Sequence, residues 1–215
     1  MFANRIEAGK QLAEKLAELG PENPVVLALP RGGVPVANEV AKRLKAPLDL
    51  VLVRKIGSPG HEELAAGAIV DGEEAQVVFN PDVLRMLGLT ESDFEEKKRQ
   101  KLAEIEERRK LYLAGRAPLP LDGKTAIIVD DGIATGATVK AALKGVAKRG
   151  PKRIVLAIPV APPDSLADLD PLVDDLICLE APDHFYAVGA HYRDFGQTSD
   201  TEVQRLMREA DQSGN

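Results

Sequence analysis

The sequence predicts an α/β fold in which a central, mostly parallel sheet is flanked by helices. Short continuous apolar runs, such as NPVVLALP (23–30) and KTAIIVD (124–130), are typical of strands that are buried on both faces. These runs alternate with segments whose apolar residues recur at helical spacing, which is the order of elements found in parallel sheets. With 215 residues, of which 44% are hydrophobic, the chain can bury a full core as one domain over 1–215.

The first third of the chain contains a helix, a strand, a second helix and a second strand. Leucines at helical spacing predict a first helix, which ends at Gly20-Pro21. Residues 34–44 carry an apolar helical face, and LDLVLVRK (48–55) has the pattern of a second buried strand. AAGAIVDGEEAQVVFN (65–80) then predicts a hairpin with Asp71-Gly72 at its turn.

The segment 80–120 is predicted to be a helical arm that is inserted into this alternation. Its charge-rich helix, about 92–113, has only a thin apolar stripe. We therefore expect a solvated helix, with a dimer contact or an extension of a lid as the alternative.

The second half of the chain returns to alternating strands and helices. The strand 124–130 is followed by a helix that ends at Gly150. KRIVLAIPV (152–160) has the pattern of a fourth strand, and VDDLICLE (173–180) that of a short fifth one. A last helix is predicted to begin near Ser199.

Composition limits the classes of protein to which the chain can belong. The formal net charge is −6 and the isoelectric point is about 5.2, so no basic field attracts nucleic acid. Cys178 is the single cysteine, which excludes an intramolecular disulfide and fits a reducing compartment. The N-terminus lacks the apolar region of a secretory signal, and no run reaches the ~18 apolar residues of a membrane span. We therefore expect a soluble, cytoplasmic protein without nucleic-acid or membrane partners.

Three loops that follow predicted strands have unusual composition: PRGG (30–33), VRKIGSPGHEE (53–63) and VDDGIATGAT (129–138). In parallel sheets, ligands bind at the carboxyl ends of the strands, where such loops lead into helices. We therefore expect these three loops to form the binding site.

The last of these loops combines groups that suit a sugar phosphate. Gly132 and Gly136 let backbone N–H groups approach a phosphate near the positive end of a helix. The carboxylates of Asp130 and Asp131 would repel a phosphate, but they can accept hydrogen bonds from sugar hydroxyls or bind a divalent cation shared with the ligand. The alternative is that both aspartates merely cap the strand end and the following turn.

IIVDDGIATGAT (127–138) closely resembles the phosphoribosyl diphosphate (PRPP) signature of the type I phosphoribosyltransferases: an apolar strand, two acids and a 5′-phosphate loop that contains Thr-Gly. It has neither the Gly-Lys-Ser/Thr of a Walker A loop nor the G-x-G-x-x-G pattern. The resemblance extends in order over most of the chain. It implies the fold of that family and PRPP binding by residues of three loops: Arg31, Gly32, Gly33, Arg54, Lys55, Asp130, Asp131, Ala134, Thr135, Gly136, Ala137 and Thr138.

By this resemblance, PRGG is the loop that meets the diphosphate. The fork of the Arg31 guanidinium can contact two phosphate oxygens at once. Family members often have a cis peptide in this loop, which predicts a cis bond between Pro30 and Arg31. An ordinary Gly-Gly turn with a solvated arginine is the alternative.

The loop after the second strand resembles two further parts of the family pattern. Arg54 and Lys55 are similar to the basic pair that contacts the diphosphate in family members. Residues 57–60 resemble the hinge of a mobile lid, from which His61 and Glu62 could reach the site.

The segment 178–200 resembles the hood that supplies the acceptor site. FYAVGAHYRDF (185–195) is loosely similar to the hood of purine-salvage members, in which an aromatic ring stacks on the base. The resemblance implies acceptor contacts from Ile133, Phe185, Tyr186 and Asp194, with a core role for the aromatic residues as the alternative. Members that use hypoxanthine or guanine have a third acid at the position of Ala134, so these two acceptors are not indicated.

The implied activity is transfer of a 5-phosphoribosyl group from PRPP, with Mg²⁺, to a nitrogenous acceptor such as a nucleobase, with release of diphosphate. The implied catalytic residues are Asp130, Asp131, Arg31 and Lys55, and Mg²⁺ binds mainly through the diphosphate, without a metal site of the protein itself. The alternatives are a PRPP- or nucleotide-sensing regulator without turnover, and a hydrolase of phosphoribosyl or phosphate esters. A homodimer is expected from the family alone.

Overall fold

The central sheet is parallel and lies between helices, as the sequence predicts. The computed structural model describes residues 1–213, without the side chains of His61, Glu63 and Ser213, so the role predicted for His61 lies outside the described residues. The strands are β1 (Pro24–Ala28), β2 (Leu48–Leu50), β3 (Val53–Ser58), β4 (His61–Val70), β5 (Gln76–Phe79), β6 (Thr125–Val129), β7 (Arg153–Val160) and β8 (Asp175–Glu180). The helices are α1 (Arg5–Leu19), α2 (Gly33–Leu44), α3 (Pro81–Leu87), α4 (Glu95–Leu113), α5 (Ala137–Ala147), α6 (Pro163–Leu169) and α7 (Asp200–Ser213). None of the helices within 1–213 is long and apolar enough to span a membrane.

Both faces of the central sheet are covered, which explains the continuous apolar runs of its strands. Within the described residues, this five-stranded sheet has the order β2-β1-β6-β7-β8, with every neighbouring pair parallel. In β1, Val26 and Ala28 belong to a core cluster with residues of α1 and α2, whereas Val25 and Leu27 pack with residues of α5. Side chains of a strand alternate between the two faces, so a strand that is covered on both faces is apolar at every position.

The run LDLVLVRK, predicted as one strand, is two strands that belong to different sheets. β2 pairs with β1 in the central sheet, and β3 pairs with β4 in an antiparallel sheet of order β3-β4-β5. Between them, the N–H of Val51 still donates to Ala28 (2.9 Å), but the N–H of Leu52 donates to the Asp71 carboxylate (2.7 Å). The prediction was wrong because the chain is apolar on both sides of this crossover, so no residue type marks it.

The hairpin predicted at 65–80 is confirmed and is part of a larger antiparallel sheet. β4 pairs with β5 across the turn that contains Asp71 and Gly72. β3 and β4 are joined by a tight turn at Pro59 and Gly60, so the residues predicted as a lid hinge form the closed end of a second hairpin. Movement of this hairpin as a lid stays a prediction.

The helical arm packs on the folded core through its thin apolar stripe, while the other residues of α4 are exposed or half-buried, as expected of a helix with a solvated outer face. The segment 80–120 contains α3, a short 3₁₀ turn (Glu91–Phe94) and α4. Phe94, Ile105 and Tyr112 are buried in the same core cluster as residues of α1 and α2. The apolar stripe is thin because much of the anchoring of α4 is polar.

A buried charge network fixes α4 to both sheets. The Arg109 guanidinium donates to both carboxylate oxygens of Asp49 in β2 (3.0 and 3.2 Å) and to Asp71 after β4 (2.5 Å). Arg116, in the loop after α4, also donates to Asp49 (3.3 Å). Burial raises the pKa of Asp71 to about 6, although the charge of Arg109 acts in the opposite direction. Arg109 therefore links the helical arm to the region between β2 and β3, where the chain passes from the central sheet to the antiparallel sheet.

The predicted hood is packed against the N-terminal residues of the chain. The first residues of 178–200 belong to β8, at the edge of the central sheet, and the rest is irregular apart from a short 3₁₀ turn (Val188–His191) and the first residue of α7. The N–H of Phe2 donates to the carbonyl of His191 (2.8 Å), and the carbonyl of Phe2 accepts from the N–H of Arg193 (2.9 Å). The N-terminal residues therefore complete this region, which the sequence did not indicate.

Candidate active site

Two of the predicted loops meet at the carboxyl end of the central sheet. β1 and β6 are neighbours, with Ala28 opposite Val129, so the loop 30–33 and the acid pair Asp130-Asp131 lie side by side. The N–H of Leu29 donates to the carbonyl of Val129 (3.0 Å), which continues the pairing into the loops. A cleft of about 460 Å³ opens here, which we call the acid-pair cleft; its lining residues are Arg5, Pro30, Arg31, Gly32, Asp130, Asp131, Phe195, Gln197 and Thr198.

The glycines of PRGG allow this loop to contact the acid pair directly. A Cβ atom on Gly32 would overlap the carboxylate of Asp131, and one on Gly33 would lie 2.8 Å from the carbonyl oxygen of Val129. Gly32 has ordinary helical angles, φ −60° and ψ −33°, so glycine is needed here for space and not for backbone conformation. The peptide bond between Pro30 and Arg31 is cis, which confirms that prediction.

The two carboxyl groups of the acid pair have different partners. Asp130 Oδ1 accepts from the N–H of Asp131 (2.8 Å), and burial together with the charge of Asp131 raises the pKa of Asp130 well above its ordinary value. Asp131 Oδ2 accepts from Arg5 Nε (2.8 Å). Two adjacent carboxylates that are withdrawn from water cost free energy, so a ligand that brings hydrogen-bond donors or positive charge to them is favoured.

The loop that leads from the acid pair into α5 consists of exposed or half-buried residues at positions 134–138. Gly136, with φ 74° in the left-handed region, directly precedes Ala137, the first residue of α5. Ser165 Oγ donates to the carbonyl of Ala134 (2.6 Å) and thereby holds the loop. N–H groups in the first turn of a helix have no partner within the helix, and the helix dipole favours negative charge at this end. The loop 134–138 therefore suits an anion such as a phosphate group.

Arg54 and Lys55 lie outside the acid-pair cleft. Arg54 Nε pairs with Glu104 of α4 (3.2 Å), whereas exposed Lys55 lines a separate groove of about 390 Å³, beside Thr138. Neighbouring residues of a strand point to opposite faces, so β3 does not present both side chains to one ligand. Of the three basic residues predicted to meet a diphosphate, Arg31 lines the cleft; the roles of Arg54 and Lys55 stay predictions.

The four residues predicted for an acceptor are not among those that line the acid-pair cleft. Ile133 is 2% exposed and packs in the core beside α5, so its side chain does not face a ligand. Phe185 stacks on His191, with ring centroids 5.2 Å apart, and Tyr186 is 90% exposed. The stacking of Phe185 on His191 agrees with the alternative prediction, in which the aromatic residues of this segment have a core role.

Asp194 and Phe195 line two different pockets although they are adjacent in the chain. Asp194 accepts from the N–H of Gly196 (3.3 Å) and lines a smaller pocket of about 220 Å³. Phe195 lines the acid-pair cleft, where its ring packs on the Arg5 guanidinium at 3.9 Å. The cleft is thus lined by an aromatic ring, Phe195, that the sequence did not indicate.

Arg5 and Tyr192 also contribute to the site without having been predicted. Arg5 lies 126 residues before its partner Asp131, and the Tyr192 hydroxyl donates to the carbonyl of Asp131 (2.5 Å). The position of Arg5 in the first turn of a helix is a local feature that could have indicated its role. The helix dipole disfavours a basic side chain at this end, so its presence there calls for an explanation. Tyr192 has no such feature, since aromatic residues near glycine equally well fill a core.

Comparison with known proteins agrees with this geometry. A crystal structure of the protein TT1426 from Thermus thermophilus superposes with a TM-score of 0.84 at 43% identity, covering 97% of this chain and 98% of that one. The protein named "Putative phosphoribosyl transferase Rv0571c" of Mycobacterium tuberculosis is 48% identical over 210 residues, or 98% of this chain. The chain spans about half of that relative, 47% of its length. Bifunctional protein PyrR of Chloroflexus aurantiacus is 34% identical over 153 residues, which is 65% of this chain and 72% of that protein.

The family model of the phosphoribosyl transferase domain matches residues 3–195, which include the loop 30–33, the acid pair and most of the hood segment. The chain therefore belongs to the phosphoribosyl transferase family and has the type I phosphoribosyltransferase fold.

Proposed function

We propose that the chain moves a 5-phosphoribosyl group from PRPP, in the presence of Mg²⁺, to a nitrogenous acceptor such as a nucleobase and releases diphosphate. One observation carries the proposal: the loop 30–33 and the acid pair meet at neighbouring strand ends, and the chain continues from the acid pair through the loop 134–138 to the start of α5, which suits an anion. Membership of the phosphoribosyl transferase family supports it.

Each part of PRPP has a group of matching chemistry. The ribose hydroxyls can donate to the carboxylates of Asp130 and Asp131. The 5′-phosphate can accept from the backbone N–H groups at the start of α5. Arg31 Nη1 lies 3.5 Å from Asp200, which is too long for a strong ion pair, so its guanidinium can turn toward the diphosphate.

In the proposed reaction, the bond between C1 of the ribose and the diphosphate oxygen breaks, and diphosphate leaves with the electron pair. Positive charge develops on the ribose ring, where the carboxylates of Asp130 and Asp131 stabilise it, and Arg31 stabilises the leaving group. The lone pair of the acceptor nitrogen forms the new bond to C1, and the proton that the acceptor loses passes to water. We assign no general base, because Ala134 occupies the position at which a third acid would accept that proton.

The residues of the site fit a Mg²⁺ ion that enters with PRPP. Among the side chains that the structure describes, no three acidic, histidine or cysteine residues cluster closely enough to hold a metal ion. Mg²⁺ commonly keeps several waters and binds through one or two carboxylates together with substrate phosphates, which the acid pair can complement. Bound to the diphosphate, the ion would neutralise charge on the leaving group.

We expect Gly32→Ala to weaken PRPP binding about tenfold or more while the protein still folds. The added methyl group overlaps the Asp131 carboxylate, so the loop or the carboxylate has to move. Overpacking of this kind costs about 1–3 kcal/mol, which is less than the stability of a typical domain. Titration calorimetry with PRPP and Mg²⁺ measures the affinity, and thermal unfolding shows whether the variant is folded. Wild-type affinity in this variant would contradict the close contact between the loop and the acid pair.

Measurement of diphosphate release tests the proposed function. The protein is incubated with PRPP, Mg²⁺ and, one at a time, nucleobases, ammonia and simple amines, and released diphosphate is quantified by a coupled assay. We expect release that depends on both an acceptor and Mg²⁺. Equal release in the absence of any acceptor would indicate a hydrolase, and failure to bind PRPP would refute the proposal.

A PRPP- or nucleotide-sensing regulator without turnover is the second candidate function. It is favoured by Ala134, which leaves the phosphate loop without the third acid that serves as a base in some family members. Tight PRPP binding without diphosphate release, for every acceptor of the panel, would select this candidate.

A further inference from the structure

Arg5 is held on three sides within the acid-pair cleft. Its Nε donates to Asp131 Oδ2 (2.8 Å), its Nη1 donates to the carbonyl of Gly196 (2.6 Å), and its guanidinium carbon lies 3.9 Å from the ring centroid of Phe195. The side chains of Arg5 and Asp131 are 12% and 13% exposed. The ion pair is therefore largely withdrawn from solvent and restricted to one orientation.

The stability of the surrounding structure does not explain this placement. Arg5 is the first residue of α1, where the positive end of the helix disfavours a cation. The helix does not depend on Arg5 for its start, because the side chain of Asn4 caps it by accepting from the N–H of Glu7 (3.0 Å). A buried ion pair contributes little net stability, since both charges lose their hydration. We attribute the free-energy cost of placing and burying this charge to a role in ligand binding.

Arg5 determines which oxygen of Asp131 is left for a ligand. Oδ2 accepts from Arg5, the carbonyl oxygen accepts from Tyr192, and the N–H donates to Asp130. Among the hydrogen bonds of the described residues, none involves Asp131 Oδ1. The carboxylate is thus fixed with one oxygen available to a hydroxyl donor.

Arg5 also reduces the negative charge that an anionic ligand meets. Two neighbouring carboxylates repel a substrate that carries several phosphate charges, and this repulsion is strong where little water screens it. The guanidinium offsets the charge of Asp131 without blocking its second oxygen. The acid pair can then bind hydroxyl groups of a molecule that it would otherwise repel.

We propose that Arg5 is a positioning residue of the site: it orients Asp131 toward a ribose hydroxyl and offsets one of the two charges that oppose a polyphosphorylated substrate. Arg5 acts through Asp131 and not by contact with the reacting atoms. The inference rests on the proposed function, because it assumes that PRPP is the ligand of the acid pair.

Two variants of Arg5 and one control test this role. Arg5→Met removes the charge at similar length, and Arg5→Lys keeps the charge but not the planar fork. Arg43→Met is the control, since Arg43 forms an exposed ion pair with Glu14 of α1 (2.8 Å) and does not line the acid-pair cleft. In titrations with PRPP and Mg²⁺, we expect Arg5→Met to bind at least about 30-fold more weakly than wild type. Arg5→Lys should recover part of the loss, and Arg43→Met should bind as wild type.

A double-mutant cycle separates positioning from a general loss of structure. If Arg5 acts through Asp131, adding Arg5→Met to Asp131→Asn weakens binding by less than about threefold further. Fully additive losses, or wild-type affinity of Arg5→Met, would overturn the inference and leave the proposed function standing. A wild-type protein that does not bind PRPP would overturn both.

Discussion

The variant Asp130→Asn/Asp131→Asn is expected to lose PRPP binding and turnover while it remains folded. Asparagine keeps the shape of aspartate but has no charge to stabilise positive charge on the ribose ring, and one of its two polar atoms donates instead of accepting. Loss of a single preorganised electrostatic group costs about 10²–10³-fold in turnover, so the loss of both acids should bring turnover to the limit of detection. Calorimetry with PRPP and Mg²⁺ and the diphosphate-release assay measure the two effects.

Stability measurements show whether the acids are kept for a ligand. The raised pKa of Asp130 means that the folded protein disfavours its ionised form. The single variant Asp130→Asn is therefore expected to unfold at a temperature no lower than that of the wild type at neutral pH. A side chain whose removal abolishes binding without lowering stability serves the ligand and not the fold.

The matched control for the acid pair is Asp164→Asn/Asp168→Asn, which removes two exposed carboxylates from α6. This variant should bind PRPP with wild-type affinity. If the acid-pair variant also binds normally, the two carboxylates do not hold the ribose, and the proposed mechanism fails.

The variant Arg109→Met is expected to lose about 3–5 kcal/mol of unfolding free energy. The guanidinium is the shared partner of Asp49 and Asp71, which are 0% and 3% exposed, so its removal leaves two buried carboxylates without this partner. In a chain of this size, 1 kcal/mol shifts the midpoint of thermal unfolding by roughly 2–4 °C, so we expect a decrease of about 10 °C. Urea and thermal unfolding at neutral pH measure the change.

Arg99→Met, on the same helix, is the control for Arg109→Met. Arg99 pairs with Glu96 at the surface, where its side chain is 78% exposed and solvent screens the charges, so we expect no measurable change in stability. Adding Asp49→Asn and Asp71→Asn to Arg109→Met should recover part of the stability, because fewer buried charges are then left unpaired. Similar small losses for Arg99→Met and Arg109→Met would contradict the anchoring of α4 by buried charge.

Local patterns of the sequence were sufficient to predict the parallel sheet and part of the candidate site. A strand that is covered on both faces has to be apolar at consecutive positions, so β1, β6 and β7 are visible as runs. The acid pair and PRGG directly follow two of these strands, and parallel neighbours bring the residues after their carboxyl ends together. The cis bond at Pro30–Arg31 was expected from family resemblance and is present.

The class of fold, the family and the acid pair could therefore be predicted from the amino-acid sequence, because each depends on residues that are close together in the chain. Three features required the folded structure: the passage of the chain from one sheet to the other near Val51, the anchoring of the arm by Arg109, and the contact between Arg5 and Asp131. Contacts between charged groups depend on the packing of distant elements, and a solvated arginine and a buried one are the same letter in a sequence. The surroundings of Asp131, and with them the electrostatics of the site, therefore became visible only in the folded chain.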